Sequence, residues 1–504
     1  MSKIPELDAI RTEVITRWNI PDWGKRFPWW PRPPHVKVLF YADGGIQYDG
    51  GPFFGLKQVI ATLTAQHYPW VVFDVTTANR LADPSADHSG LDLSAALALG
   101  NFDELWIYSY DAAPQLTSQE LASAQAFMDT RKGGVLITGD HASLGAAFGN
   151  LPRAGKMRQL PAPPSAAPTW NTTLRSGANS LYEFEDQSDA YPQPLTLRWY
   201  WAWLPFWRAP HPVLCSPLGP IDIFPDHQHE GESLAPTPSP SSEWPGGLGA
   251  DVIAWGTIVD PSSSTVGRRV GVLSAYNGHS TNVGRILADS TWHHHFDINL
   301  RGLGTPGRTG FVNPGTPDWL TTAKKIEHYF VNAAIWLAPP DRQAQMRAAA
   351  WWPILWGDII AEAQDVIGLP YHFGRAAYDA LGRYAPQCVR FGWLWELIPP
   401  FIQRELPIHI PRPDPPPLLE YIAAEVTKQM AAEFRVSHHK LPPAAPSLEE
   451  IDRSIRKAVP VALERLAHDT RTQANSLATL LTSKAARVTR GGRKSPAPAR
   501  ARRK

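Results

Sequence analysis

The stretch GVLITGDHASLG, from Gly134 to Gly145, decides how this chain is read. Val135, Leu136 and Ile137 form a short apolar run between glycines, the pattern of a strand buried on both faces. A tight polar turn follows, then small residues suited to the start of a helix. A strand, a sharp turn and a helix start present one residue at the carboxyl edge of a sheet beside free backbone N–H groups. Here that residue is Asp140 or His141. The plainer reading is a βα turn in which Asp140 caps the helix. Neither Cys215 nor Cys388 is close in sequence and no serine occupies the tip, so no acyl-enzyme route through cysteine is expected.

Working outward, the same alternation recurs. Apolar runs at Val36–Ala42, Trp70–Val75 and Phe102–Asp111 predict strands, while Gly55–His67 and Thr117–Gly134 predict helices, the second opening on a Thr117/Glu120 capping box. Strands alternating with helices predict βαβ units, a mostly parallel sheet and a three-layer α/β domain over residues 36–340. From 150 to 250 proline, serine and tryptophan break the pattern, too long a span for a simple connection. It reads as a loop-rich insertion over one face of the sheet. Strands return at Asp251–Val259, Arg268–Asn277 and Gly284–Trp292, and a helix at Thr321–Ala338 completes the unit. Residues 341–484 read as helical, with periodic apolar positions at Pro417–Phe434 and a capping box from Ser447 to Glu450. Residues 1–35 read as a Trp/Pro-rich arm, and 485–504 as a disordered basic tail.

Composition narrows the functional classes. With 43% hydrophobic and 19% charged residues the chain is an ordered globular protein, not a disordered one. A net charge of +1 gives no global field to steer a ligand. Two cysteines exclude a disulfide framework, and their apolar surroundings suggest two buried thiols. The N-terminal sequence lacks the apolar core of a signal peptide and no 18-residue apolar run occurs, so the expectation is a soluble, cytoplasmic protein with no membrane partner. Eight Lys or Arg and no acid lie between Ala485 and Lys504. Such a tail can hold polyanions nonspecifically but reads no nucleic-acid sequence.

Ligands of open parallel sheets bind outside the carboxyl ends of the strands. Three polar blocks are expected there. One is the Asp140–His141 turn. The second is FPDHQHEGE, Phe224–Glu232, where Asp226, His227, His229, Glu230 and Glu232 combine imidazole and carboxylate as transition metals require. The third is DSTWHHHF, Asp289–Phe296. If its strand continues, His293 and His295 share one face and His294 takes the other. The expected metal ligands are therefore His141, Asp226, His227, His229, His293 and His295, holding a divalent ion such as zinc. Asp140, His141 and Glu230 are the expected acid–base residues. The plainer readings are a solvated acidic loop and an imidazole-rich strand end.

The order of these blocks, with FDELWIYSYD, GGVLITGDH and GRILADSTWHHHF, resembles the class I glutamine amidotransferase-like superfamily, nearest its trehalose-utilisation (ThuA-like) branch, over about residues 36–338. The resemblance implies a flavodoxin-like, amidotransferase-like fold. It places His141 where that branch carries a histidine near the elbow, and His293 or His294 where it carries a Gly-His pair after a late strand. The spacing departs from that pair, and FPDHQHEGE has no counterpart. The implied activity is a metal-assisted hydrolase or lyase on a polar, carbohydrate-like small molecule. The alternative is a binding or scaffold protein that keeps the fold without catalysis.

Overall fold

The computed structural model describes residues 31–491 except 45, 50–54, 66–67, 69, 110–115, 140–150, 160–191, 202–207, 227–230, 237–242, 260–264, 302–309, 311, 313, 315–317, 357–369, 382–386, 400–417 and 435–444. Nine strands form one mostly parallel sheet: β1 (His35–Ala42), β2 (Val72–Asn79), β3 (His88–Ser89), β4 (Glu104–Ser109), β5 (Gly134–Gly139), β6 (Thr196–Leu197), β7 (Asp251–Thr257), β8 (Arg269–Tyr276) and β9 (Ile286–Asp289). Their spatial order is β3-β2-β1-β4-β5-β9-β8-β7-β6. All neighbours from β3 across to β9 are parallel. The remaining three pairings are antiparallel. The late strands thus close the sheet as a meander, which short connections permit and parallel crossovers do not.

Among the described residues the α-helices are α1 (Lys57–Thr64), α2 (Leu93–Ala98), α3 (Ser118–Asp129), α4 (Asp297–Arg301), α5 (Trp319–Leu337), α6 (Pro340–Trp351), α7 (Pro370–Leu381), α8 (Gln387–Glu396), α9 (Leu418–Phe434) and α10 (Leu448–Gly491). Along β1, Val36, Val38, Phe40 and Ala42 join one apolar cluster while Leu39 and Tyr41 join another. Alternation along a strand puts these on opposite faces. The first cluster takes in residues of α1, α5 and the C-terminal helices, and the second those of α2 and α3. Burial on both faces is why these strands read as unbroken apolar runs. Trp70, Trp106, Trp292, Trp351, Trp352 and Trp393 are fully buried, so these tryptophans serve the core.

The C-terminal helices do not build a core of their own. Ile451, Ile455, Ala458, Ala462 and Leu466 of α10 belong to the same cluster as Phe40 and Trp106. The predicted caps are present: Thr117 and Glu120 close a box at α3, and Ser447 and Glu450 do so at α10. Arg285, just before β9, donates to the Trp336 carbonyl (2.7 Å) and Asn277 Oδ1 (2.9 Å) and pairs with Glu396 of α8. Two expectations are corrected. α10 continues to Gly491, so the start of the supposed disordered tail is helical, and Cys215 is disulfide-bonded where a free thiol was expected. The sequence holds one other cysteine, Cys388. Among the described residues no helix is long and apolar enough to cross a membrane.

Candidate metal centre

β9 ends at Asp289, between β5 and β8 at the carboxyl edge of the parallel strands. The chain then turns instead of continuing extended. His293–His295 form a single 3-10 turn, and α4 begins at Asp297. Strand parity therefore does not apply, and the expected pairing of His293 with His295 is corrected. Consecutive residues of a tight turn point in directions set by its three-residue period, not by a two-residue one. His294 and His295 approach one another, with ring centroids 4.4 Å apart. His293 instead stacks on Trp292 (4.2 Å) and accepts from Asn299 Nδ2 (2.9 Å).

Asp289, His294 and His295 are wholly buried, and one donor atom of each lies within 4.8 Å of the others. Asp289 Oδ2 is the hub. Tyr329 of α5 donates its hydroxyl to it (2.8 Å), and His295 Nε2 lies 3.3 Å away. His294 Nε2 is 2.8 Å away but off hydrogen-bonding alignment, so charge rather than direction holds that contact. On the outer side of the His294 ring, Asp226 Oδ2 accepts from Nδ1 (2.6 Å) and from the His294 backbone N–H (3.1 Å). Asp226 Oδ1 accepts from Thr291 Oγ1 (2.7 Å). The second ring nitrogen of His295, Nδ1, meets Tyr108 OH of β4 at 3.3 Å.

The packing around the rings is aromatic. Phe224 lies 4.5 Å from His294, Phe330 lies 5.2 Å from His295, and the Tyr329 ring meets both imidazoles edge-on at 5.5 and 6.2 Å. Burial in such a wall disfavours every charge, yet the groups set each other. Burial opposes ionisation of Asp289, but the two imidazoles outweigh it and hold its carboxyl at about 2. Burial likewise opposes the His294 cation, and Asp289 and Asp226 overcome it, raising the ring to about 9. His295 is lowered to about 4 by burial and by its charged neighbour His294. Without a metal, the group is thus one imidazolium between two carboxylates beside one neutral imidazole.

Among the described residues the insertion reaches this centre through Phe224 and Asp226. The bridge pairing Ile223–Phe224 with Gln193–Pro194 leads directly into Asp226, and a second pairs Glu232–Ser233 with Arg158–Gln159. Ser233 Oγ donates to the carbonyls of Val272 and Ala288 (both 3.0 Å), tying the far end of the loop to β8 and β9. From the β5 side, Thr138 Oγ1 donates to the Thr291 carbonyl (2.8 Å) and Arg158 donates to the Gly139 carbonyl (2.7 Å). A Cβ on Gly139 would meet the Ser109 carbonyl at 2.5 Å, which fixes glycine at the end of β5.

Of the residues singled out from the sequence, the structure brings Asp226 and His295 together, with Asp226 behind His294 and not among the three converging donors. His293 lies beside the centre on other partners. Asp140, His141, His227, His229 and Glu230 lie outside the described residues. Sequence reasoning missed Asp289, Tyr108 and Tyr329, and it named His294 only as the resemblance's alternative to His293, not among the expected ligands. Asp289 carried a signal, since it ends the strand just before the histidines. The tyrosines come from β4 and α5 and carried none. Comparison with protein-family models, curated proteins and solved structures finds no match to this chain.

Proposed function

We propose that this protein is a metal-assisted hydrolase or lyase acting on a polar, carbohydrate-like small molecule, with Asp289, His294 and His295 holding a divalent ion such as zinc. One observation carries the reading. His294 turns Nε2 towards Asp289 Oδ2 at 2.8 Å, off hydrogen-bonding alignment, while its Nδ1–H is fixed by the Asp226 carboxylate. A carboxylate behind a histidine is how metal-bound imidazoles are oriented, and the nitrogen on the inner side, which faces Asp289, is then the ligand atom. Two imidazoles and a carboxylate suit zinc or iron and leave coordination positions for solvent or substrate.

When bound, the ion would supply a Lewis acid and an acidified water. The chain's own groups do the rest. Asp226 fixes the His294 ring, Tyr108 orients His295, and Tyr329 holds Asp289 through Oδ2. Asp140, His141 and Glu230 remain the proposed acid–base residues, the first two directly following β5. The Cys215 disulfide supports chemistry without a cysteine nucleophile. The strand order and the two apolar clusters support a flavodoxin-like three-layer arrangement. A cytoplasmic location is the part of the sequence reading that the disulfide pulls against, because such bonds persist in oxidising compartments.

A second reading is favoured by the complete burial of the centre: a non-catalytic binding or scaffold protein in which the same residues form a closed ion network. Elemental analysis of protein purified without a histidine tag separates the two. Stoichiometric transition metal in the wild type, lost in Asp289→Asn, supports the first reading. A metal-free wild type that folds normally gives the field to the second.

A further inference from the structure

α10 carries an apolar stripe that outlasts the protein beneath it. Ile451, Ile455, Ala458, Ala462 and Leu466 are buried against the body at helical spacing. From Arg471 to Leu480 every residue is exposed, although the helix continues to Gly491. Leu477 lies eleven residues beyond Leu466, about three turns at 3.6 residues per turn, and so on the same stripe. Leu477 is 58% exposed and Leu480 57%, more than any other large apolar residue among those described.

The charge of this segment is one-sided. After Asp469 the chain has ten Lys or Arg and no Asp or Glu. Association with a second copy through this helix would set cations against cations, which is unfavourable. The occupant must be anionic. Phosphates of a nucleic acid would satisfy the charge and leave the leucines in water. An anionic lipid surface satisfies both, since apolar side chains enter the headgroup–acyl boundary while basic residues sit at the lipid phosphates.

We infer that the exposed segment of α10, from Arg471 to Leu480, together with the basic sequence after it, docks the protein on an anionic membrane surface. This revises the expectation of no membrane partner. It requires no spanning helix and does not depend on the metal centre.

The full-length protein is sedimented with vesicles of phosphatidylcholine containing phosphatidylserine and with vesicles of phosphatidylcholine alone, at about 0.1 M salt, where the screening length is about 10 Å. The expected result is binding to the anionic vesicles only, weakening as salt is raised. Each basic residue at the surface contributes roughly fivefold, so Arg487→Glu/Arg490→Glu should release the protein. Leu477→Asp/Leu480→Asp should weaken binding by roughly tenfold or more while leaving the melting temperature nearly unchanged, because both side chains are more than half exposed. A short DNA duplex serves as competitor. The proposal is overturned if anionic vesicles do not bind, if the leucine variant binds like the wild type, or if duplex DNA binds more tightly than the vesicles and is indifferent to that variant.

Discussion

Asp226 and His294, sixty-eight residues apart in sequence, meet at 2.6 Å between Oδ2 and Nδ1 in a contact that is closed to solvent on both sides. The loop-rich insertion supplies the carboxylate and the turn after β9 supplies the ring, so neither element makes the contact alone. In the proposed metal centre Asp226 is a positioning residue. Asp226→Asn should lower metal affinity about 10- to 100-fold, measured by chelator competition. It should also destabilise the fold by about 3–5 kcal/mol in urea unfolding, since it strips one partner from a buried charge. Unchanged metal affinity together with lost stability would mark Asp226 as purely structural.

The histidine run gives a separable pair. His294→Ala or His295→Ala should abolish stoichiometric metal binding, because each removes one of three converging donors. His293→Ala should keep the metal and cost about 1–3 kcal/mol, from the lost stacking on Trp292 and the unsatisfied Asn299 amide. Metal analysis and unfolding of all three variants check this, and loss of metal only in His293→Ala would reverse the assignment.

Acid sensitivity should come partly from histidines away from the centre. His211, against Trp336 at 4.7 Å, is lowered to about 3 by burial and then by the Arg285 cation. His328 is lowered to about 4 by burial, with Lys324 adding to it. Both sit below the unfolded value of about 6.5, so between these limits the unfolded chain binds protons that the folded chain refuses. Stability is therefore complete above about pH 6.5 and falls as pH drops towards 4, at up to about 1.4 kcal/mol per pH unit for each group. Urea midpoints measured from pH 4 to 8 should show a shallower acid limb in His211→Gln than in the wild type. Parallel limbs would remove His211 from the account.

The seam between α7 and α9 depends on one glycine. A Cβ on Gly374 would meet the Glu420 carbonyl oxygen at 1.7 Å. Alanine would gain up to about 1 kcal/mol of helix propensity, but backbone on the facing helix cannot retreat as a side chain tip can. Gly374→Ala should thus destabilise by about 1–3 kcal/mol net. A melting temperature equal to or above that of the wild type would show that the two helices can separate without loss.

The sequence by itself determined the α/β alternation, because burial on two faces and on one face leave different periods in the order of residues. Val135–Ile137 needed no partner to read as a strand, and Thr117 with Glu120 named their own helix start. It also located one edge of the centre, since Asp289 and the histidines sit together in the chain. Which histidines converge was decided only in three dimensions. Whether the chain after Asp289 stays extended or turns into a 3-10 helix depends on Trp292 and Phe296 finding their places in the core, and a one-residue change of period exchanges His293 for His294. Tyr108 and Tyr329 were likewise invisible, because a hydroxyl on β4 and another on α5 acquire a role only when the sheet and helix bring them to His295 and Asp289. The antiparallel edge of β6, β7 and β8 also waited on tertiary structure, since strand direction follows from connection length and packing, which residue order alone does not encode.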